Sequence, residues 1–289
     1  MSGWTIGIIG GSGLYGIEAL EETQSIAVDT PWGAPSDELV IGRLHGTRFV
    51  FLPRHGKGHR IPPGEINYRA NIDALKRAGC TDIVAISAIG SLREDLPPGR
   101  FVIVDQLIDR TTKRAGSFFG AGLVAHVSMA DPACPRLSAR AAGAAEAAGA
   151  SVTRGGTYVA IEGPQFSSRA ESLLYRQYGC DVIGMTAMPE AKLAREAELP
   201  YALVGMVTDY DCWRDGSEAA NVDEIVAQLH ANAGTARRLV EELARALPPE
   251  RAPSPIDTNL DTALITAPAA RDPAMLAKLD AICGRLLRE

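Results

Sequence analysis

The sequence predicts a single α/β domain with a mixed, largely parallel β-sheet flanked by helices. Three observations predict it. Short Val- and Ile-rich runs bounded by Gly, Pro or Asp recur along the chain, the pattern of strands. Several are apolar throughout rather than alternating, as in strands covered on both faces. Helical patterns alternate with them, an order that stacks helices on both sides of one sheet.

Taken in order, Thr5 to Ile9 is a β-branched run that stops at a glycine-rich turn. Glu38 to Leu44 and Arg48 to Leu52 follow as a hairpin, then a helix over Ile66 to Ala78. The apolar runs Asp82 to Ser87 and Phe101 to Val104 are strands, and Arg136 to Ala148 is a helix. Thr157 to Ile161 and Asp181 to Met185 are strands on either side of a helix over Ser168 to Tyr178. Pro189 to Ala197 is helical, Ala202 to Val207 is a buried strand, and Val222 to Ala246 is a long helix. The division is a domain over 1–247 and a tail over 248–289: the Pro-rich stretch Pro248 to Pro255 reads as a linker, with a final helix near Pro273 to Leu287. Such a tail is too short to be a domain, so it docks on the body or on a neighbouring subunit.

Composition narrows the function. The 289 residues suffice for a substantial core. Hydrophobic residues are 46% and charged residues 22%, close to the averages of soluble globular proteins. The 35 acidic against 29 basic residues give a net charge of −6; Lys and Arg are dispersed, so no nucleic-acid partner is expected. No stretch approaches the ~20 apolar residues of a membrane span, and Met1-Ser2-Gly3-Trp4 does not open a secretory leader. Five widely spaced cysteines with no Cys-x-x-Cys pair read as reduced thiols rather than a disulfide framework or a zinc site. A cytoplasmic protein acting on a small molecule is expected.

Asp209 and Asp211 follow the apolar run Pro200 to Val207, at the carboxyl end of a strand, where ligands bind in open α/β sheets. On an extended strand the two carboxylates point the same way and Tyr210 points away. Such a pair can bind a cation, hold a metal or manage protons on a polar ring; a solvated turn is the plain alternative. At the end of the first strand, Gly10-Gly11-Ser12-Gly13-Leu14-Tyr15-Gly16 lets backbone amides and the Ser12 hydroxyl approach an anion. It also satisfies G-x-G-x-x-G, but a hairpin follows instead of the βαβ unit that a dinucleotide needs. A simple tight turn is the other reading. Arg54 and His55 in Pro53-Arg54-His55-Gly56 suit an oxyanion. His55 and His59 would bind a metal only on a helix, which Pro62, Pro63 and the nearby glycines oppose. Ser87 and Ala88 add hydroxyl and amide donors at another strand end, as do Met185 and Thr186. Between them, Phe166 and Ser167 offer a ring and a hydroxyl for a planar base, or a core Phe at a helix start.

Taken in order across roughly residues 5 to 245, these segments resemble the trimeric branch of the purine nucleoside phosphorylase superfamily. The specific matches are Gly10 to Gly13, Arg54 to Gly56, Gln106 to Thr112, Glu162 to Glu171 and Thr208 to Trp213. The resemblance implies phosphorolysis of a nucleoside carrying a 5′-methylthio group, with inorganic phosphate as co-substrate and no metal or organic cofactor. It implies a phosphate site of Ser12, Arg54, His55, Ser87, Ala88 and Thr186, with Met185 against the ribose and Phe166 and Ser167 near the base. Gln165 stands where relatives carry Arg. Val222, Ile225 and Val226 would form the methylthio pocket, although such positions also simply pack a helix. His126 would reach a neighbour's active site in a homotrimer. Asp209 and Asp211 are the expected catalytic pair. A protonated Asp209 can donate to purine N7, and a carboxylate accepts from a 6-amino group but repels a 6-oxo group. A 6-aminopurine substrate is therefore expected over methylthioinosine or another 6-oxopurine nucleoside. Two readings of other classes, a nicotinamide-dependent oxidoreductase and a nucleoside-binding protein without catalysis, rest on less.

Overall fold

A computed structural model of the chain describes residues 3–11, 14, 16–214 and 222–286, the side chains of residues 222 and 224 excepted. The elements run β1 (Thr5–Gly10), β2 (Glu21–Ile26), β3 (Leu39–Leu44), β4 (Thr47–Pro53), α1 (Tyr68–Arg77), β5 (Asp82–Ser91), β6 (Arg100–Val104), β7 (Gln106–Asp109) and α2 (Pro135–Ala147). Then follow β8 (Ser151–Arg154), β9 (Thr157–Ala160), α3 (Arg169–Gln177), β10 (Val182–Gly184), α4 (Ala187–Glu196), β11 (Tyr201–Asp209), α5 (Val222–Ala246), α6 (Pro273–Lys278) and α7 (Asp280–Cys283). Each of the eight strands expected from the sequence forms.

The strands join one sheet in the order β2-β3-β4-β1-β5-β10-β9-β7, with β11 pairing both β5 and β6, and β6 pairing β8. Six of the pairings are parallel and four antiparallel, so the sheet is mixed and largely parallel. β5 is its branch point. Its first half lies between β1 and β11, both parallel to it, while Gly90 and Ser91 turn to pair antiparallel with Ile183 and Val182 of β10. The carboxyl ends of β1, β4, β5 and β11 therefore open on the same side of the sheet, facing the end of β10.

One face of the sheet packs on Ile72, Leu75, Leu193 and Ala194 from α1 and α4. The other packs on Leu137, Ala141, Leu239 and Leu243 from α2 and α5. Strands buried between two such layers need apolar side chains on both faces, which is why β1, β5 and β11 were legible as continuous runs.

Three strands were not expected: β2, β7 and β8. Each has a single partner in the sheet, β3, β9 and β6 respectively. Edge strands need no apolar faces, and Glu21 to Ser25 are all exposed. The final helix is broken in two at Leu279, which leaves helical geometry (φ −97°, ψ 15°) and is completely buried; Leu287 lies outside the described residues. The segment after Pro248 packs on the body. Leu260, Ala263, Leu279 and Ile282 share the core of α1 and α4, and Arg251, 7% exposed at its side chain, bridges Asp82 and Asp257. No helix among the described residues is long and apolar enough to cross a membrane.

Candidate active site

Arg54 directly follows β4, where its backbone N–H donates to Gly10 O of β1 (2.9 Å). Its buried guanidinium forms a two-pronged pair with Glu190: Nε donates to Oε2 (2.8 Å) and Nη2 to Oε1 (3.0 Å). Nη2 also reaches Ile9 O (3.4 Å) and Nη1 reaches Ile86 O (3.2 Å). Tyr201 adds its hydroxyl to Glu190 Oε1 (2.9 Å). Burial opposes the charge on Arg54, but Glu190 outweighs it and raises the pKa, so the guanidinium stays cationic. Of its five N–H donors, one on Nη1 has no partner among the described residues.

His55 comes next. Its Nδ1 lies 2.9 Å from Ile61 O; a carbonyl only accepts, so Nδ1 carries the proton and Nε2 keeps a lone pair. Burial, with the Arg54 charge beside it, pushes the imidazole down to about 4, leaving it neutral near pH 7. The His59 ring stacks on it with centroids 4.1 Å apart. Across the sheet, Ser87 Oγ of β5 lies 3.2 Å from Thr186 Oγ1 at the start of α4, and Ala88 follows Ser87. The Thr186 N–H donates to Tyr158 Oη (3.2 Å). Ser12 lies outside the described residues.

The aspartates sit where β11 meets the branch. β11 ends at Asp209, with a bulge against β5 between Val207 and Asp209. Asp211 is beyond the strand in the left-handed region (φ 52°), and its N–H donates to Asp209 Oδ1 (2.7 Å). The expected alternation on an extended strand is thus corrected: an Asx turn brings the carboxylates together. Gly90 makes room for them, since a Cβ there would stand 3.1 Å from Asp209 Oδ1 and 3.0 Å from Ile183. Asp209 Oδ2 accepts from the Thr208 hydroxyl (2.7 Å). Burial raises the Asp209 pKa, against the pull of these two hydrogen bonds. Burial raises Asp211 as well, with the Asp209 charge adding to it and Ser172 easing it. Asp211 Oδ2 is buried with no well-formed hydrogen bond among the described residues.

The remaining expected residues fall into two groups. Met185 follows β10 and packs its sulfur against Gly163 (φ 66°), where a Cβ would lie 2.5 Å from Sδ. Three residues on, Phe166 is 50% exposed, and Ser167 O accepts from Cys212 Sγ (3.2 Å) beside Asp211. The strap 162–167 therefore joins Met185 to the aspartates. Ile225 is half-buried and Val226 exposed on α5, two turns before Asn232, which donates to Val207 O (3.3 Å); the Val222 side chain lies outside the described residues. His126 is exposed, with its N–H on Ala263 O of the tail (2.9 Å). Sequence reasoning missed Glu190, Tyr201 and Tyr158. The signal for Glu190 was an acid amid small apolar residues in Ala187-Met188-Pro189-Glu190-Ala191; the tyrosines read as core.

A buried guanidinium, a neutral imidazole, two hydroxyls and a buried carboxylate pair thus gather at strand ends of one sheet. The chain belongs to the phosphorylase superfamily, whose model matches residues 5–245. It is 58% identical over 285 residues to an S-methyl-5′-thioadenosine phosphorylase of Bradyrhizobium diazoefficiens, covering 98% of each chain. It is 59% identical to the enzyme of that name from Cereibacter sphaeroides, again over 98% of each. Among solved structures, a methylthioadenosine phosphorylase from an antarctic soil metagenomic library superposes with a TM-score of 0.91 at 47% identity, covering 98% of this chain and 99% of that one. The Schistosoma mansoni methylthioadenosine phosphorylase in complex with adenine gives 0.83 at 39% identity, over 88% and 96%.

Proposed function

We propose that this chain catalyses the reversible phosphorolysis of S-methyl-5′-thioadenosine to adenine and 5-methylthioribose 1-phosphate, a step of purine and methionine salvage. The observation that carries the proposal is the buried Asp209–Asp211 pair, raised in pKa, beside a neutral His55 and a fixed Arg54. The relatives' names support the same substrate.

Cleavage of the C1′–N9 bond leaves its electron pair on the purine and a cation-like sugar behind. Asp209, whose pKa burial raises, acts as the general acid toward N7 as that pair develops, while Asp211 and Asp209 favour the donor face of a 6-amino group. A phosphate oxygen forms the new bond at C1′. Phosphate is held by Arg54, His55, Ser87, Thr186, the backbone at Ala88 and Ser12. Met185 lies against the ribose and Phe166 and Ser167 against the base, with Val222, Ile225 and Val226 around the methylthio group. No metal or organic cofactor takes part. The active form is a homotrimer in which His126 completes a neighbour's site, and its five unpaired cysteines fit a reducing, cytoplasmic setting.

The test is release of free base from methylthioadenosine, methylthioinosine, adenosine and inosine, each with and without phosphate. Phosphate-dependent release, fastest from methylthioadenosine, is expected. Fastest release from an inosine compound overturns the base assignment, and release that ignores phosphate overturns the phosphorylase.

A further inference from the structure

Arg114 makes six hydrogen bonds near the site, and no expectation from the sequence included it. It sits in the segment after β7, with its side chain 2% exposed. Its Nε donates to Glu162 Oε1 (2.8 Å), and Nη2 donates to Glu162 O (2.6 Å) and Ile161 O (3.4 Å). Nη1 serves Met185 O (2.5 Å), Met188 O (2.8 Å) and Tyr68 Oη (3.0 Å). All five N–H donors of a guanidinium thus end on protein acceptors, so Arg114 has none left for phosphate. What it touches is informative. Ile161 and Glu162 begin the strap that carries Phe166 and Ser167. Met185 O and Met188 O flank Thr186, where α4 starts with non-helical geometry at Met188 (φ −118°, ψ 135°).

We propose that Arg114 is a positioning residue that sets the separation between the base-side strap 162–167 and the sugar-side turn 185–188, and so the fit of the nucleoside. The proposal rests on the phosphorolysis reading above. Glu162 holds Arg114 in turn: its Oε2 accepts from the Thr112 and Lys113 N–H groups (2.6 and 3.0 Å), tying the 112–114 backbone to the same strap. A planar fork bonds acceptors on two sides at once; an ammonium has three donors at one point and cannot span them. Of the phosphate-side groups, Arg54 and His55 are bonded to Glu190 and Ile61, outside this cluster, and only Thr186 lies within the turn it holds.

The test compares wild type, Arg114→Lys and a matched control, Arg251→Lys, which disturbs another buried guanidinium bonded to Asp82 and Asp257. Arg114→Lys is expected to lose on the order of 100-fold in kcat/KM for methylthioadenosine, as a misplacement of about 1 Å does. Its KM for methylthioadenosine is expected to rise well beyond any rise in its KM for phosphate, because of the phosphate-side groups only Thr186 lies in the turn that Arg114 holds. Arg251→Lys is expected to keep wild-type kinetics at a similar loss of Tm. An equal rise of both KM values in Arg114→Lys, or an equal activity loss in Arg251→Lys, overturns the positioning role. Absence of phosphate-dependent cleavage in the wild type instead overturns the phosphorolysis reading, and the proposal with it.

Discussion

Glu162 follows β9 and Asp209 ends β11, both acids at strand ends, yet their surroundings push them in opposite directions. Glu162 loses some hydration to burial, but the Thr112 and Lys113 N–H groups and the Arg114 guanidinium outweigh this and hold it down to about 2. Asp209 has two neutral hydrogen bonds and no cation among the described residues, and burial wins, raising it. The difference is counter-charge. An acid facing a guanidinium is a permanent anion suited to holding backbone in place, whereas an acid buried among neutral donors can keep a proton and pass it on.

The strongest way to break the comparison is Asp209→Asn. It preserves shape, so cleavage is expected to fall roughly 10²- to 10⁴-fold, the range for loss of a general acid, with Tm nearly unchanged; a matching loss of Tm would mark Asp209 as structural. Glu162→Gln should instead lower stability, together with the nucleoside fit that Arg114 sets. Leaving Arg114 buried without its counter-ion is expected to lower unfolding stability by about 1–3 kcal/mol in a denaturant titration. Unchanged stability would show that the anion is not needed there.

Glu196 sharpens the contrast as a second acid raised by burial. Its carboxylate accepts from Ser117 Oγ (2.7 Å) and the Phe118 N–H (2.6 Å), and burial, only partly offset by these bonds, raises it to about 6. A raised folded pKa contributes stability that is fully present below pH 4.5 and lost as pH rises through 6. Glu196→Gln, which stays neutral, should therefore gain on wild type by about 2 kcal/mol between pH 4.5 and 7. Parallel stability curves for the two proteins would refute the assignment. The smallest effect is expected at the strap's far end. Ser168 and Glu171 cap α3 reciprocally, and Ser168→Ala should cost about 1 kcal/mol in thermal unfolding.

The buried half of this fold was legible because strands between two helical layers must be apolar on both faces. β2, β7 and β8 were not, because an edge asks little of its side chains. Asp209 and Asp211 were legible as a pair from their place after an apolar run, but the reason for their proximity was misread: strand periodicity predicts a shared face, and an Asx turn with a left-handed Asp211 delivers it. Glu190 and Arg114 were out of reach because their meaning lies in partners 136 and 48 residues away, and no local spacing encodes such a pairing.

The tail has a consequence for biosynthesis. Trp4 Nε1 donates to Pro248 O across 244 residues (2.9 Å), Arg251 bonds Asp82 at the start of β5, and Leu279 and Ile282 complete the layer over α1. Trp4, β5 and α1 are therefore covered by residues made after every strand of the sheet. A nascent chain carrying every strand of the sheet still exposes the apolar face of α1, and it becomes a closed body only once its final helices arrive.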